Sequence, residues 1–211
     1  MKLEIRRNLF SVLAFVGFVW LIFLINLPLS LTKWNLVQNY GLKPRTVSGL
    51  IGIFTMPFLH EGLEHLLGNT VPLAVLLFML AVTRENARQI LICIIVIAGV
   101  FTWLIGLSSP VVGASGLVYG LTAYLITAGI HERKLVSAGT AVLVGVLYGG
   151  SLFWGLLPTA GKQVAWDAHL LGAAGGAIFA HLTLRQQASE SLGHKFTQKT
   201  SLSPERDVSV P

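Results

Sequence analysis

The stretch Pro110-Val111-Val112-Gly113-Ala114-Ser115-Gly116-Leu117-Val118-Tyr119-Gly120 carries the chain from a polar loop into an apolar helix, with a serine at the junction. Downstream lies a second apolar segment that holds a histidine, Ala168-His169-Leu170-Leu171-Gly172-Ala173-Ala174-Gly175-Gly176. Gly116 and Gly120 in the first segment, and Gly172 and Gly176 in the second, form small-xxx-small patterns that let two helix backbones pack closely. If those faces meet, Ser115 and His169 come within hydrogen-bonding reach. A nucleophile and a base embedded in membrane-grade sequence imply hydrolysis inside a bilayer.

Composition supports the setting. The chain has 211 residues, of which 54% are hydrophobic and 11% charged, and its mean hydropathy is +0.72. Soluble domains carry about 25% charged residues, so an integral membrane protein is expected. Apolar segments run almost without pause from Leu9 to Leu184, which predicts one membrane domain over residues 1–184. Residues 185–211, rich in Ser, Gln and Lys, are expected to form a disordered cytoplasmic tail. The formal charge of +6 is no nucleic-acid footprint, because its Lys and Arg residues sit at segment ends, where they set topology. Cys93 is the single cysteine and reads as a small buried hydrophobe. The apolar run Leu9 to Leu31 exceeds a signal h-region and has no Ala-x-Ala-like cleavage site, so it is read as a retained first helix.

Six spans are predicted, at about 8–30, 63–82, 89–108, 115–130, 135–157 and 166–184, most of them near the ~20 residues that cross a hydrocarbon core. With a cytoplasmic N-terminus, that side holds Lys2, Arg6, Arg7, Arg84, Arg88, Arg133, Lys134, Arg185, Lys195, Lys199 and Arg206. The other side keeps Lys33, Lys43, Arg45 and Lys162. The asymmetry predicts both termini in the cytoplasm of a multi-pass protein, in a bacterial inner membrane. The fourth span is short, rising roughly 24 Å. Anchored at its inner end by Arg133 and Lys134, it would begin below the outer surface, with Ser115 submerged. The loop from Ser108 to Ala114 must then descend into protein-lined space, since bare loop backbone is not tolerated in lipid.

Each polar residue has a plain reading beside the chemical one. Ser115 can be a helix N-cap or a small packing residue, yet a helix N-terminus also offers free N–H groups where an oxyanion would form. His169 can be structural, although an intramembrane ionisable group is costly and defaults to function. Asp167 is a poor orienter for it, because residues two apart on a helix point about 200° away from each other. A Ser–His dyad is therefore favoured over a triad, with Tyr119, one turn after Ser115, able to stack on the imidazole. His65 and Asn69 are i,i+4 neighbours that can donate to an oxyanion together with the Ser115 backbone N–H. As an interfacial polar helix start the same cluster would have no chemistry.

Three features now occur in order: His60-x4-His65-x3-Asn69, then Gly113-Ala114-Ser115-Gly116 with Tyr119 following, then Ala168-His169-x2-Gly172-x3-Gly176. Over roughly residues 45 to 182 the chain resembles the rhomboid family of intramembrane serine proteases in its small six-helix form. The resemblance implies an all-α bundle of six transmembrane helices with a short central fourth helix. It makes Ser115 the nucleophile and His169 the general base, with His65, Asn69 and the Ser115 N–H as the oxyanion hole. His60, Tyr119, Gly113 and Gly116 would support them. It implies no cofactor and no metal, and as partners the lipid bilayer and transmembrane protein substrates cut near the outer end of a helix. No nucleic-acid partner is expected, and the oligomeric state is left open. Pro158 to Trp166 would cap the site, and Phe153 and Trp154 would line a substrate gate. Many rhomboids carry a Trp-Arg pair in the first loop, where this chain reads Gly41-Leu42-Lys43-Pro44-Arg45, so the seating of that loop is left open.

Three rivals stand beside this reading. His60-Glu61 begins like a zinc His-Glu-x-x-His motif, but the second histidine falls at i+5, about 140° around a helix, which spoils ligation from one face. A catalytically inactive rhomboid-like escort protein would generally lack the serine or the histidine, and both are present. A transporter would need charges along its span interiors, and these are missing.

Overall fold

The computed structural model describes residues 2–107, 110–132, 134–158 and 165–201. The order of elements is α1 (Lys2–Leu29), α2 (Leu36–Tyr40), α3 (Gly52–Thr55), a 3-10 turn (Met56–Phe58), α4 (Leu63–Thr83), α5 (Ala87–Ile105), α6 (Ser115–Glu132), α7 (Leu135–Gly155) and α8 (Trp166–Ser201). Among the described residues the fold is helical, with one isolated antiparallel bridge between Leu42 and Val111.

Helix α6 is the axis of the bundle. It packs against α4, α5, α7 and α8 and buries residues all round its circumference, among them Leu117, Val118, Leu121, Tyr124, Leu125 and Ala128. A helix so enclosed needs no polar face. Its 18 residues rise about 27 Å, still less than a ~30 Å hydrocarbon core. The outer helices turn apolar side chains outward, with Phe10 73% exposed on α1 and Val146 77% exposed on α7. Surfaces of this kind are interaction or membrane surfaces. Among the described residues three helices, α1 from Glu4, α4 and α5, are long and apolar enough to cross a bilayer by length and composition. Leu135–Gly150 of α7 is a shorter apolar helix, while α6 and the start of α8 carry glycines and polar residues of the interior, which lowers their hydropathy.

Helix boundaries shift from the predicted spans for identifiable reasons. Helix α5 stops at Ile105 rather than 108 because Gly106 turns extended (φ −61°, ψ 153°). The Arg45 guanidinium then takes the freed Gly106 carbonyl at 2.8 Å. Helix α8 continues past Leu184 to Ser201, so the segment expected to be a tail begins as helix. Its Arg, Gln, Ala, Glu and Lys residues are good helix formers, and the first proline after them is Pro204.

The first loop is seated by several independent ties. Asn35 accepts from the Val37 and Gln38 N–H groups and caps α2, while Asn26 of α1 accepts from Leu36 N–H at 2.8 Å. The bridge follows, Leu42 N–H to Val111 O at 3.0 Å and Val111 N–H to Leu42 O at 2.8 Å. Arg45, at φ 58°, donates its own N–H to Trp103 O at 2.9 Å, and the Trp103 indole returns a bond to Thr46 O at 2.8 Å. An arginine from the loop and a tryptophan from α5 thus lock the loop to the helix end. The Leu42–Val111 bridge in turn fixes the strand of chain that delivers Gly113 and Ser115.

Candidate functional site

The backbone arriving from Val111 bends sharply at Gly113, whose φ of 110° lies where only glycine is unstrained. Space demands glycine as well: a Cβ there would lie 2.5 Å from His65 Nε2 and 2.6 Å from its Cε1. Gly113 N–H is tied to Met56 O at 2.9 Å. Ala114 N–H donates to His60 Nε2 at 3.4 Å. Ser115 then opens α6, where the first turn of N–H groups has no intrahelical partner.

His169, on the first turns of α8, reaches Ser115 across the helix pair, with Nε2 at 2.8 Å from Oγ. Its Nδ1 lies 2.9 Å from the Gly155 carbonyl. A carbonyl can only accept, so Nδ1 carries the proton and Nε2 presents its lone pair to the serine hydroxyl. The orientation that an acidic residue gives in a triad comes here from the last residue of α7. Tyr119 stacks on the imidazole, with centroids 4.3 Å apart and an interplanar angle of 10°. His169 is buried at 8% exposure, which shields it from bulk solvent.

Glycine contacts let α6 and α8 approach this closely. A methyl at Gly172 would collide with the Gly116 carbonyl, and one at Gly176 with the Gly120 carbonyl. The small-xxx-small faces therefore meet, as their spacing implied.

On the other side of Ser115 lie His60, His65 and Asn69. Asn69 Nδ2 donates to His65 O at 3.0 Å and lies 3.3 Å from His60 Nε2. Since His60 Nε2 already accepts from the Ala114 N–H, it is the unprotonated nitrogen and accepts from Asn69 too. His60 and His65 pack edge to face at 5.0 Å. His60 precedes α4 and is 2% exposed. Burial, and then the neighbouring His65, push its pKa down to about 4, so it stays neutral at physiological pH.

All seven residues singled out beside the serine thus fall around it: His169, Tyr119, His65, Asn69, His60, Gly113 and Gly116. Asp167 does not join them. Its carboxylate accepts the Leu107 N–H at 2.5 Å, pinning the end of α5 to the start of α8. Phe153 and Trp154 pack edge to face at 6.3 Å and are 60% and 68% exposed on α7. Of the expected cap, residues 159–164 lie outside the described residues. Among the described residues no group of three or more His, Cys, Asp or Glu side chains is placed to hold a metal ion. The Gly155 carbonyl and the Arg45–Trp103 lock were not foreseen, since a backbone acceptor has no sequence signature.

Comparison with known proteins places this geometry in a family. The rhomboid-domain model matches residues 47–186. An uncharacterised protein of Mycobacterium tuberculosis is 35% identical over 181 residues, covering 82% of this chain and 73% of the relative. An uncharacterised protein of Mycobacterium leprae is 34% identical over 182 residues, covering 82% and 70%. The match spans Ser115 and His169 alike, and this integral membrane chain belongs to the rhomboid family.

Proposed function

We propose that the chain is a rhomboid intramembrane serine endopeptidase working through a Ser115–His169 dyad. The observation that carries this reading is the oriented imidazole: Nδ1–H bonded to Gly155 O, Nε2 at 2.8 Å from Ser115 Oγ. His169 Nε2 takes the hydroxyl proton as Oγ attacks a peptide carbonyl, giving a tetrahedral intermediate. The oxyanion is met by the Ser115 N–H, Asn69 Nδ2 and His65. His169 then protonates the leaving amine, and water, deprotonated by the same nitrogen, hydrolyses the acyl-enzyme. His60, neutral and accepting at Nε2, holds both the Asn69 amide and the Ala114 N–H in place. Asn69 Nδ2 is already bonded in the resting arrangement, so oxyanion binding requires one of those bonds to lengthen.

In this reading all six long helices span the membrane, both termini are cytoplasmic, and Ser115 opens towards the extracytoplasmic side. The substrate is another membrane protein, cut near the outer end of a transmembrane helix. A helical peptide bond is shielded, so Gly or Pro near the site favours the local unwinding that attack requires. Fluorophosphonate labelling of the purified protein, followed by peptide mapping, tests the nucleophile. Modification at Ser115 that requires His169 supports the reading, and an unreactive serine in folded protein overturns it in favour of an inactive escort.

A further inference from the structure

The two helices that hold the dyad carry a second histidine pair at their other end. His131, in the last turn of α6, and His181, midway along α8, bring Nε2 and Nδ1 within 3.1 Å, with centroids 5.1 Å apart and rings at 81°. We propose that this pair is a binding site for a borderline divalent transition cation, with zinc as its representative, bridging α6 to α8.

Three observations carry it. First, His131 Nδ1 lies 2.9 Å from Thr127 O. That carbonyl accepts the Nδ1 proton, so Nε2 is left with its lone pair outward, and a second N–H held by a carbonyl is the usual support of a metal-bound imidazole. Second, the nitrogen separation suits a shared ion. With zinc–nitrogen bonds of ~2.0–2.1 Å, 3.1 Å subtends about 100° at the metal, near the tetrahedral value. Third, the pair is exposed, so water can supply the remaining ligands. Binding requires the proton on His181 Nδ1 to pass through solvent to its Nε2, which leaves both imidazoles neutral and frees both lone pairs for the ion, with a small turn of the rings to aim them at it. No net charge is lost from the pair.

The surroundings set the selectivity. Arg185 stands one turn beyond His181, Lys134 follows His131 closely in sequence, and Glu132 is taken up by Arg84 and Ser137. A local field of this sign opposes cations held by charge alone. Imidazole donors favour zinc, nickel and copper over magnesium and calcium. The bound ion would fasten the two helices at the end away from Ser115.

Isothermal titration of the tag-free full chain in detergent micelles with zinc chloride tests this, since no cleavage readout is involved. One equivalent is expected to bind, with at least a tenfold loss in affinity in H131A and in H181A, and magnesium should give no heat. Zinc should also raise the thermal midpoint of the wild-type protein and leave that of H131Q/H181Q unchanged. The glutamines keep hydrogen-bonding capacity without the nitrogen ligands, so that variant distinguishes lost ligation from a lost fold. Equal zinc affinity in H131Q/H181Q and wild type overturns the site, whatever the outcome of the serine-labelling experiment.

Discussion

Replacing Gly176 or Gly172 by alanine tests whether the close approach of α6 and α8 holds the dyad together. An added methyl at either position would lie under 3.0 Å from a facing carbonyl oxygen, against 3.4 Å for ordinary contact. The obstacles are the Gly120 and Gly116 carbonyls, fixed parts of a helix backbone that cannot rotate aside. The two helices must part by about 1 Å, with an overpacking cost of about 1–3 kcal/mol. Ser115 and His169 lie on the faces that separate, so their 2.8 Å contact stretches beyond the ~3.2 Å limit of a good hydrogen bond. A misplacement of about 1 Å costs roughly 10²-fold in rate. Gly172 stands one turn from His169 and should show this loss in full, with a smaller loss at Gly176. Initial cleavage rates of a helical membrane substrate in liposomes give the readout. Gly145→Ala and Gly149→Ala on α7 are the controls, because a methyl there meets nothing within 4 Å. These should be neutral or slightly stabilising, since alanine favours helix over glycine by about 1 kcal/mol. Wild-type rates in well-folded Gly172→Ala protein would refute the reasoning.

Asn69→Ala should retain measurable cleavage at about 10²–10³ below wild type, the cost of one oxyanion donor; an unchanged kcat would remove Asn69 from the oxyanion hole. Asp167→Asn should be close to neutral, because an amide oxygen can still accept the Leu107 N–H, whereas Asp167→Ala should lower the thermal midpoint by leaving that donor unpaired; a loss in Asp167→Asn matching His169→Ala would mean that a triad operates. His60 should make stability acid-sensitive. Its folded pKa of about 4 lies below the ordinary 6.5, so the unfolded chain takes up the proton first. Stability therefore falls as pH drops from 6.5 towards 4, by at most about 3 kcal/mol. Thermal midpoints of wild type and His60→Gln across that range should converge at acid pH, and parallel curves would contradict the buried neutral imidazole.

Side-chain chemistry with a helical repeat was legible in the sequence. Gly116/Gly120 and Gly172/Gly176 announced which faces meet, and that alone brings Ser115 to His169. The two-residue offset of Asp167 argued against it as an orienter of the imidazole, but the Leu107 N–H that its carboxylate accepts lies in a loop with no periodicity to read. The orienting acceptor at Gly155 is a backbone group, invisible to any residue pattern. Arg45 lies where the familiar Trp-Arg pair was sought, yet its tryptophan neighbour comes from α5, far along the chain. The His131–His181 meeting depends on how two helices lie across each other, which spacing within either one does not determine. The helical run to Ser201 was missed because polar composition was read as disorder, although the same residues favour helix where no proline intervenes.

The central claim is that Ser115 and His169 act as one catalytic unit. Turnover of a helical membrane substrate in liposomes should be measured for wild type, Ser115→Ala, His169→Ala and the double variant, with each protein shown to be folded. Cleavage should vanish in each single variant, and the double variant should be no worse than either, as expected for residues that act together. Cleavage persisting in folded Ser115→Ala, or wild-type protein with no turnover on any helix-destabilised substrate, would contradict the account.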